Sequence, residues 1–196
     1  MNTRFVHVYP STMNPCSPAF GSNRTPPNWL CTGCCRPRPD VHGIDIQIQE
    51  ATPGRGALNF VSGTGVAVAR KAALKAMGDL IVSRDLYVGR VFGPGGEVIK
   101  DWATYRGRYR IAVRGTEHIS HRICESCGCS AYFAMGERHL FPSPPPDAQL
   151  FESGPGGLVL ETNLADRIGI KSWRAVHIEQ LPIVPAPLDG LSEVRP

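Results

Sequence analysis

Two Cys-x-x-Cys pairs constrain this chain more than any other feature: Cys31-Thr-Gly-Cys34 in the first fifth and Cys124-Glu-Ser-Cys127 well past the middle. Two residues between thiols is the separation at which a tight turn aims both sulfurs at one metal ion. Two such turns supply the four ligands of a closed tetrahedral Zn(II) site. The 89 residues between Cys34 and Cys124 far exceed the spacer of a small zinc finger. A shared ion would therefore clamp two distant parts of the chain, and the fold must bring them together. The second turn continues with Gly128, a residue free to take the positive φ that often follows such a knuckle; the first continues with Cys35.

The expected centre is one structural Zn(II) held by Cys31, Cys34, Cys124 and Cys127. Register leaves alternatives open, because Cys35 follows Cys34 directly, Cys129 lies two after Cys127, and His42, His118, His121 and His139 are within reach in sequence. Cys16 has no partner and reads as structural or incidental. A thioredoxin-like redox pair would need a helix after one CxxC, and neither is followed by one. Catalytic zinc needs an open coordination position with an acid or base beside it. Four thiolates leave no such position, Glu125 sits inside the second knuckle, and Glu137 belongs to no H-x-E or H-E-x-x-H arrangement. The expectation is a non-enzymatic protein.

Seven cysteines, an odd count, in a chain whose first residues carry no apolar secretory region favour thiols and metal over a disulfide framework. A cytoplasmic location is the expectation, and no apolar stretch approaches the length of a membrane span. With 21 Gly and 18 Pro in 196 residues, short elements and many turns are expected. The reading is a single α+β domain, mainly antiparallel β with a few short helices and a zinc-ribbon-like four-cysteine site. Residues 1–43 form an irregular segment with the first CxxC, 44–123 hold strands and one helix, and 124–196 hold the second CxxC and a closing strand–helix–strand unit.

Along the chain, Phe5–Tyr9 suggests a short strand. Ile44, Ile46 and Ile48 alternate with Asp45, Gln47 and Gln49, the period of a half-buried strand, and Leu58–Val61 is a second apolar run. Thr64 to Met77 reads as the best helix, with Thr64 as N-cap, alanines at 69, 72, 73 and 76, and Gly78 as terminator. From Leu80 to Val113 the pattern turns to β, with Gly93-Pro-Gly-Gly96 as a turn. That turn lacks the Lys-Ser/Thr ending of a phosphate loop. His118–Ile123 leads into the second knuckle and Ala131–Met135 out of it. Short strands at Leu150–Phe151 and Leu158–Leu160, a helix Asn163–Ile168 ended by Gly169, and a strand Val176–Ile183 close the chain.

Charge is mild overall, 21 basic against 17 acidic residues, but uneven: 17 against 10 in residues 1–144, and 4 against 7 in 145–196. Polarisation of this kind favours an oriented encounter with a charged partner. Arg106, Arg108, Arg110 and Arg114, interleaved with Tyr105 and Tyr109, offer an alternative reading as a nucleic-acid surface. The competing reading places those arginines on the wet face of an antiparallel strand.

Taken together, these features resemble the bacterial double-CXXCG motif family of immunity proteins. The resemblance is carried by Cys31-x-x-Cys34, by Cys124-Glu-Ser-Cys127-Gly128, and by their wide separation. The tail order adds to it: Asp147-Ala-Gln-Leu-Phe151, the run Leu158–Leu160, a helix ending at Gly169, and Val176-His-Ile-Glu-Gln-Leu-Pro-Ile183. It covers the C-terminal third and the first knuckle, where Cys35 stands in place of the family's glycine. What the resemblance implies is a protein that binds and neutralises a cognate toxin.

Overall fold

The computed structural model describes residues 5–11, 15–19, 27–109, 112–114, 118–128, 130–135, 139–141, 147–153 and 157–181. In chain order the elements are β1 (Phe5–Pro10), β2 (Ile46–Gln47), β3 (Leu58–Val61), β4 (Val66–Arg70), α1 (Lys71–Met77), α2 (Asp79–Asp85), β5 (Leu86–Phe92) and β6 (Val98–Gly107). There follow β7 (Ala112–Arg114), β8 (His118–Ile123), β9 (Ser130–Met135), β10 (His139–Phe141), β11 (Leu150–Glu152), β12 (Leu158–Glu161), α3 (Thr162–Ile168) and β13 (Val176–Leu181). The protein is α+β, with short helices and mostly antiparallel strands. No helix among the described residues is long and apolar enough to cross a membrane.

A five-stranded sheet has the order β2-β5-β6-β4-β3, antiparallel except for β2 beside β5. A four-stranded antiparallel sheet has the order β11-β12-β1-β13, so the first strand pairs between two strands from the far end of the chain. One apolar cluster joins the two sheets: Val6, Val8, Leu150, Leu158 and Leu160 meet Leu58, Ala67, Ala69, Ala103 and Tyr105, with Leu74, Met77 and Leu164 from the helices. A second cluster covers the other face of the five-stranded sheet, where Ile44, Ile46 and Ile48 pack on Val61, Val66, Val68, Val91 and Trp102. The segment bearing the first CxxC is thereby laid across the five-stranded sheet, with Trp29 and Val41 on either side of it packed at the edge of this cluster.

The expected helix over Thr64–Met77 divides. Val66–Arg70 is a central strand and only Lys71–Met77 is helical. Val66 and Val68 face one cluster while Ala67 and Ala69 face the other. A strand buried on both faces shows no polar alternation, and its alanines imitate helix propensity. Thr64 caps nothing helical: its hydroxyl donates to Val61 O (3.0 Å) and accepts from the Val66 N–H (3.1 Å), closing the turn between β3 and β4. The β reading of Leu80 onward is also corrected, because Asp79–Asp85 is helix and β5 begins at Leu86. Gly78, at φ 93, ends α1 and starts α2, and Ile81 and Val82 then pack on the core. Asp85, fully buried, ends α2; its carboxylate accepts from Arg84 (2.6 and 2.7 Å) and from the Gln149 N–H (3.1 Å), tying α2 to the approach of β11.

Strands β1, β3, β5, β11 and β12 and helix α3 lie where sequence reasoning puts them. The segments leading into and out of the second knuckle are the strands β8 and β9. Of the expected strand Val176–Ile183, β13 covers Val176–Leu181 while residues 182–183 lie outside the described residues. Of the expected strand Tyr109–Val113, Ile111 lies outside the described residues, and β7 holds Ala112–Arg114.

Candidate metal centre

The first knuckle is built on a small hairpin. Leu30 and Pro37 form an isolated antiparallel bridge, and the Cys31 N–H donates to Arg36 O at 2.9 Å. Inside it, the Cys35 N–H donates to Cys31 O at 2.8 Å, curling the backbone so that Cys31 and Cys34 point the same way. The second knuckle repeats the bond: the Gly128 N–H donates to Cys124 O at 2.7 Å. In both, the residue after the second cysteine is left-handed, at φ 54 for Cys35 and 69 for Gly128. The glycine of one turn and the cysteine of the other therefore do the same backbone job.

The second knuckle sits at the tip of a two-stranded ribbon. β8 pairs with β9 from His118–Met135 to Ile123–Ser130, and β7 pairs with β10 from Ala112–Phe141 to Arg114–His139. From Ala112–Phe141 to His118–Met135 both strands advance by six residues, so the two ladders share one register. The first knuckle is anchored from beneath by Arg106 of β6. Its buried guanidinium donates through Nη1 to the carbonyls of Arg38 and Val41, each at 2.5 Å.

The two tips meet face to face. The sulfurs of Cys31, Cys34, Cys124 and Cys127 all lie within 4.8 Å of one another, close enough to hold one metal ion. Two contacts run across the knuckles: Cys31 Sγ to Cys124 Sγ at 3.8 Å and Cys34 Sγ to Cys127 Sγ at 3.7 Å. A tetrahedron with Zn–S bonds of about 2.3 Å has edges of about 3.8 Å. Disulfides require S–S of about 2.05 Å, so the cysteines are free thiols. Cys31 is buried and the other three partly so. The approach is tight: a Cβ on Gly33 would stand 2.7 Å from Ser126 Oγ and 3.3 Å from Cys124 Sγ.

The backbone also prepares the sulfurs. The Cys31 thiol is lowered to about 6, chiefly by the Cys34 N–H donating to its sulfur, with Cys127, the Gly33 N–H and Cys124 adding to this against the effect of burial. Burial raises the Cys34 thiol, against the Arg36 N–H directed at it. A cluster of thiols in which one is pre-set as thiolate suits a soft divalent cation. With four sulfur ligands such a site is saturated and holds an ion without presenting it to substrate.

The structure brings together the four cysteines expected as ligands. Cys35 is exposed and is not in the group, and Cys129 lies outside the described residues. His42 is exposed and stacks on Tyr87, ring centroids 4.3 Å apart; His118, His121 and His139 lie on β8 and β10. Cys16 is buried, with its thiol against Pro53 O at 3.6 Å and pushed up to about 12 by burial and by the Glu50 charge. Among the arginines, Arg106 is committed to the knuckle loop, and Arg108 stacks on Tyr87 at 4.3 Å and donates to Ser83 O. Arg110 lies outside the described residues and Arg114 on β7. Sequence reasoning missed Arg106 as an anchor and Gly33 as the contact point of the knuckles. The fit of Gly33 depends on a residue 93 positions away, which no local pattern reveals. Compared with known proteins, the chain matches no protein-family model and no curated protein.

Proposed function

We propose that the protein is a zinc-stabilised, non-enzymatic immunity protein that binds and neutralises a cognate bacterial toxin in the cytoplasm. The four-thiol cluster carries this reading. It fits one structural Zn(II) in a zinc-ribbon-like site, joins segments 93 positions apart, and leaves no coordination position for substrate. Metal-ligating thiols suit a reducing compartment. The order β11, β12, α3, β13 supports the resemblance of the tail to the immunity family. An inhibitor needs a rigid surface, and a metal staple supplies rigidity without chemistry. The test is co-expression with the product of the neighbouring gene: rescue from its toxicity and a co-purifying complex are expected. A harmless, unbound neighbour would overturn the immunity role, and a purified protein without one equivalent of zinc would overturn the metal.

A second reading, nucleic-acid binding, draws on the exposed His42 and Arg108 stacked on the half-buried Tyr87. It loses Arg106, whose guanidinium is buried against two carbonyls. Salt-sensitive retention on single-stranded DNA, weakened by Arg108→Ala, would favour it over the first.

A further inference from the structure

The cluster has a second chemistry, carried by two sulfur contacts that cross from one knuckle to the other. Two sulfur–sulfur contacts run between the knuckles, Cys31 to Cys124 at 3.8 Å and Cys34 to Cys127 at 3.7 Å. Each knuckle turn is fixed by its own backbone bond, Cys35 N–H to Cys31 O and Gly128 N–H to Cys124 O. Gly33 against Ser126 and Cys124 holds the two turns in mutual contact. A join across the turns shortens a contact already made.

The geometry points to a paired disulfide site: without metal, a peroxide converts the four thiols into two cross-knuckle disulfides, Cys31–Cys124 and Cys34–Cys127, that keep the ribbon fastened to the N-terminal segment. This rests on the four-thiol cluster, not on the identity of any partner. In each pair one thiolate attacks a peroxide oxygen, the O–O bond breaks and hydroxide leaves, becoming water on protonation. The resulting sulfenic sulfur is attacked by the facing thiol, the S–O bond breaks and a second water leaves. Each pair gives up two electrons to one hydrogen peroxide, so four thiols and two peroxides yield two disulfides and four waters. Metal and oxidation are then alternative ways of making one staple. Oxidation within each CxxC would instead release the ribbon.

The experiment uses the full-length protein with Cys35→Ser and Cys129→Ser, which removes the two neighbouring thiols that could scramble the product. Metal is stripped with a chelator, stoichiometric hydrogen peroxide is added, and peptides are mapped without reduction. Cross-linked peptides joining 31 to 124 and 34 to 127 are the expected result. Peptides closed within 31–34 and 124–127, or absence of disulfide, would overturn the proposal.

Two double variants keep the test sound if the stripped protein loosens. Cys31→Ser with Cys124→Ser retains the facing pair Cys34 and Cys127. Cys31→Ser with Cys127→Ser retains Cys34 and Cys124. Both lose two ligands, but the first should oxidise at least several-fold faster; equal rates would overturn the proposal. The metal reading fails independently: a protein that takes up no zinc yet forms the cross-knuckle pairs refutes the zinc and sustains this inference. Bound zinc with oxidation only within each CxxC does the reverse.

Discussion

Cys35 holds a left-handed backbone, φ 54, at the position where the matching turn has Gly128 at φ 69. A side chain there costs roughly 1–2 kcal/mol in local sterics, partly offset by the greater freedom glycine loses on folding. Cys35→Gly should therefore stabilise the zinc-loaded protein by about 0.5–1 kcal/mol, and Gly128→Ala should destabilise it by about 1 kcal/mol. Denaturant midpoints of the two variants would check both signs. Cys16 tests burial. Its folded thiol lies at about 12, above the unfolded value of about 8.5, so the native state favours the protonated form. Its contribution to stability is whole below the unfolded value and is lost as pH rises through the folded one. At pH 8 Cys16 should resist a thiol-modifying reagent in the native protein and react on unfolding. Tyr105 offers a third probe. Its hydroxyl is buried with no hydrogen-bond partner among the described residues, and burial together with the Glu152 charge keeps the phenol protonated well above its usual range. Removing an unsatisfied buried group relieves its desolvation cost, so Tyr105→Phe should stabilise by up to about 1 kcal/mol in the same denaturant titration.

At the scale of elements, legibility followed exposure. β1, β11 and β13 could be found because short apolar runs are bounded by turn residues, and the segment Ile44–Ile48 because its polar positions stay outside: Asp45 and Gln49 are exposed while the three isoleucines are buried. β4 failed the same test, since burial on both faces erased the period that marks a strand. α2 failed because Leu80, Ile81 and Val82 look like strand residues, although Leu80 is almost fully exposed and the other two are only half-buried against the core. The four clustered cysteines were legible as a chemical pattern. What supports them was not: Arg106 reads as a solvent-facing strand arginine, yet it lies under the first knuckle. Arg106→Ala should leave the Arg38 and Val41 carbonyls without that donor and cost about 2 kcal/mol. It should also speed metal loss to a chelator, followed with a zinc indicator; unchanged release would mean that the anchor does not position the ligands. With the proposed zinc bound, the ribbon would be the element most dependent on it, because an isolated two-stranded hairpin is marginal in water.

For the whole molecule, the question is whether the proposed zinc would hold the entire fold together or only fasten one part to the rest. In the smallest zinc domains the ion substitutes for a core and the apo chain is unfolded. Here the cluster joining the two sheets contains none of the four ligands, and its largest members are fully buried. Each such Leu or Met contributes about 1.5–3 kcal/mol from burial, so the sheets have support of their own. Zinc binding only the docked state still raises overall stability, by about 2.7 kcal/mol when free zinc is 100 times its Kd. For a chain of this size that is roughly 6–10 °C in Tm. The expected behaviour is a cooperative melt at every zinc level, with Tm climbing as free zinc rises. Cys124→Ser with Cys127→Ser should hold Tm at the metal-free value, independent of zinc, and still melt cooperatively. Hydrogen exchange of the stripped protein should show β8 and β9 losing protection while β1, β4, β6 and β12 keep theirs. If chelation instead collapsed protection in both sheets together, the ion would be acting as a core and not as a fastener. The rigid platform available to a partner would then exist only in the metal-bound protein.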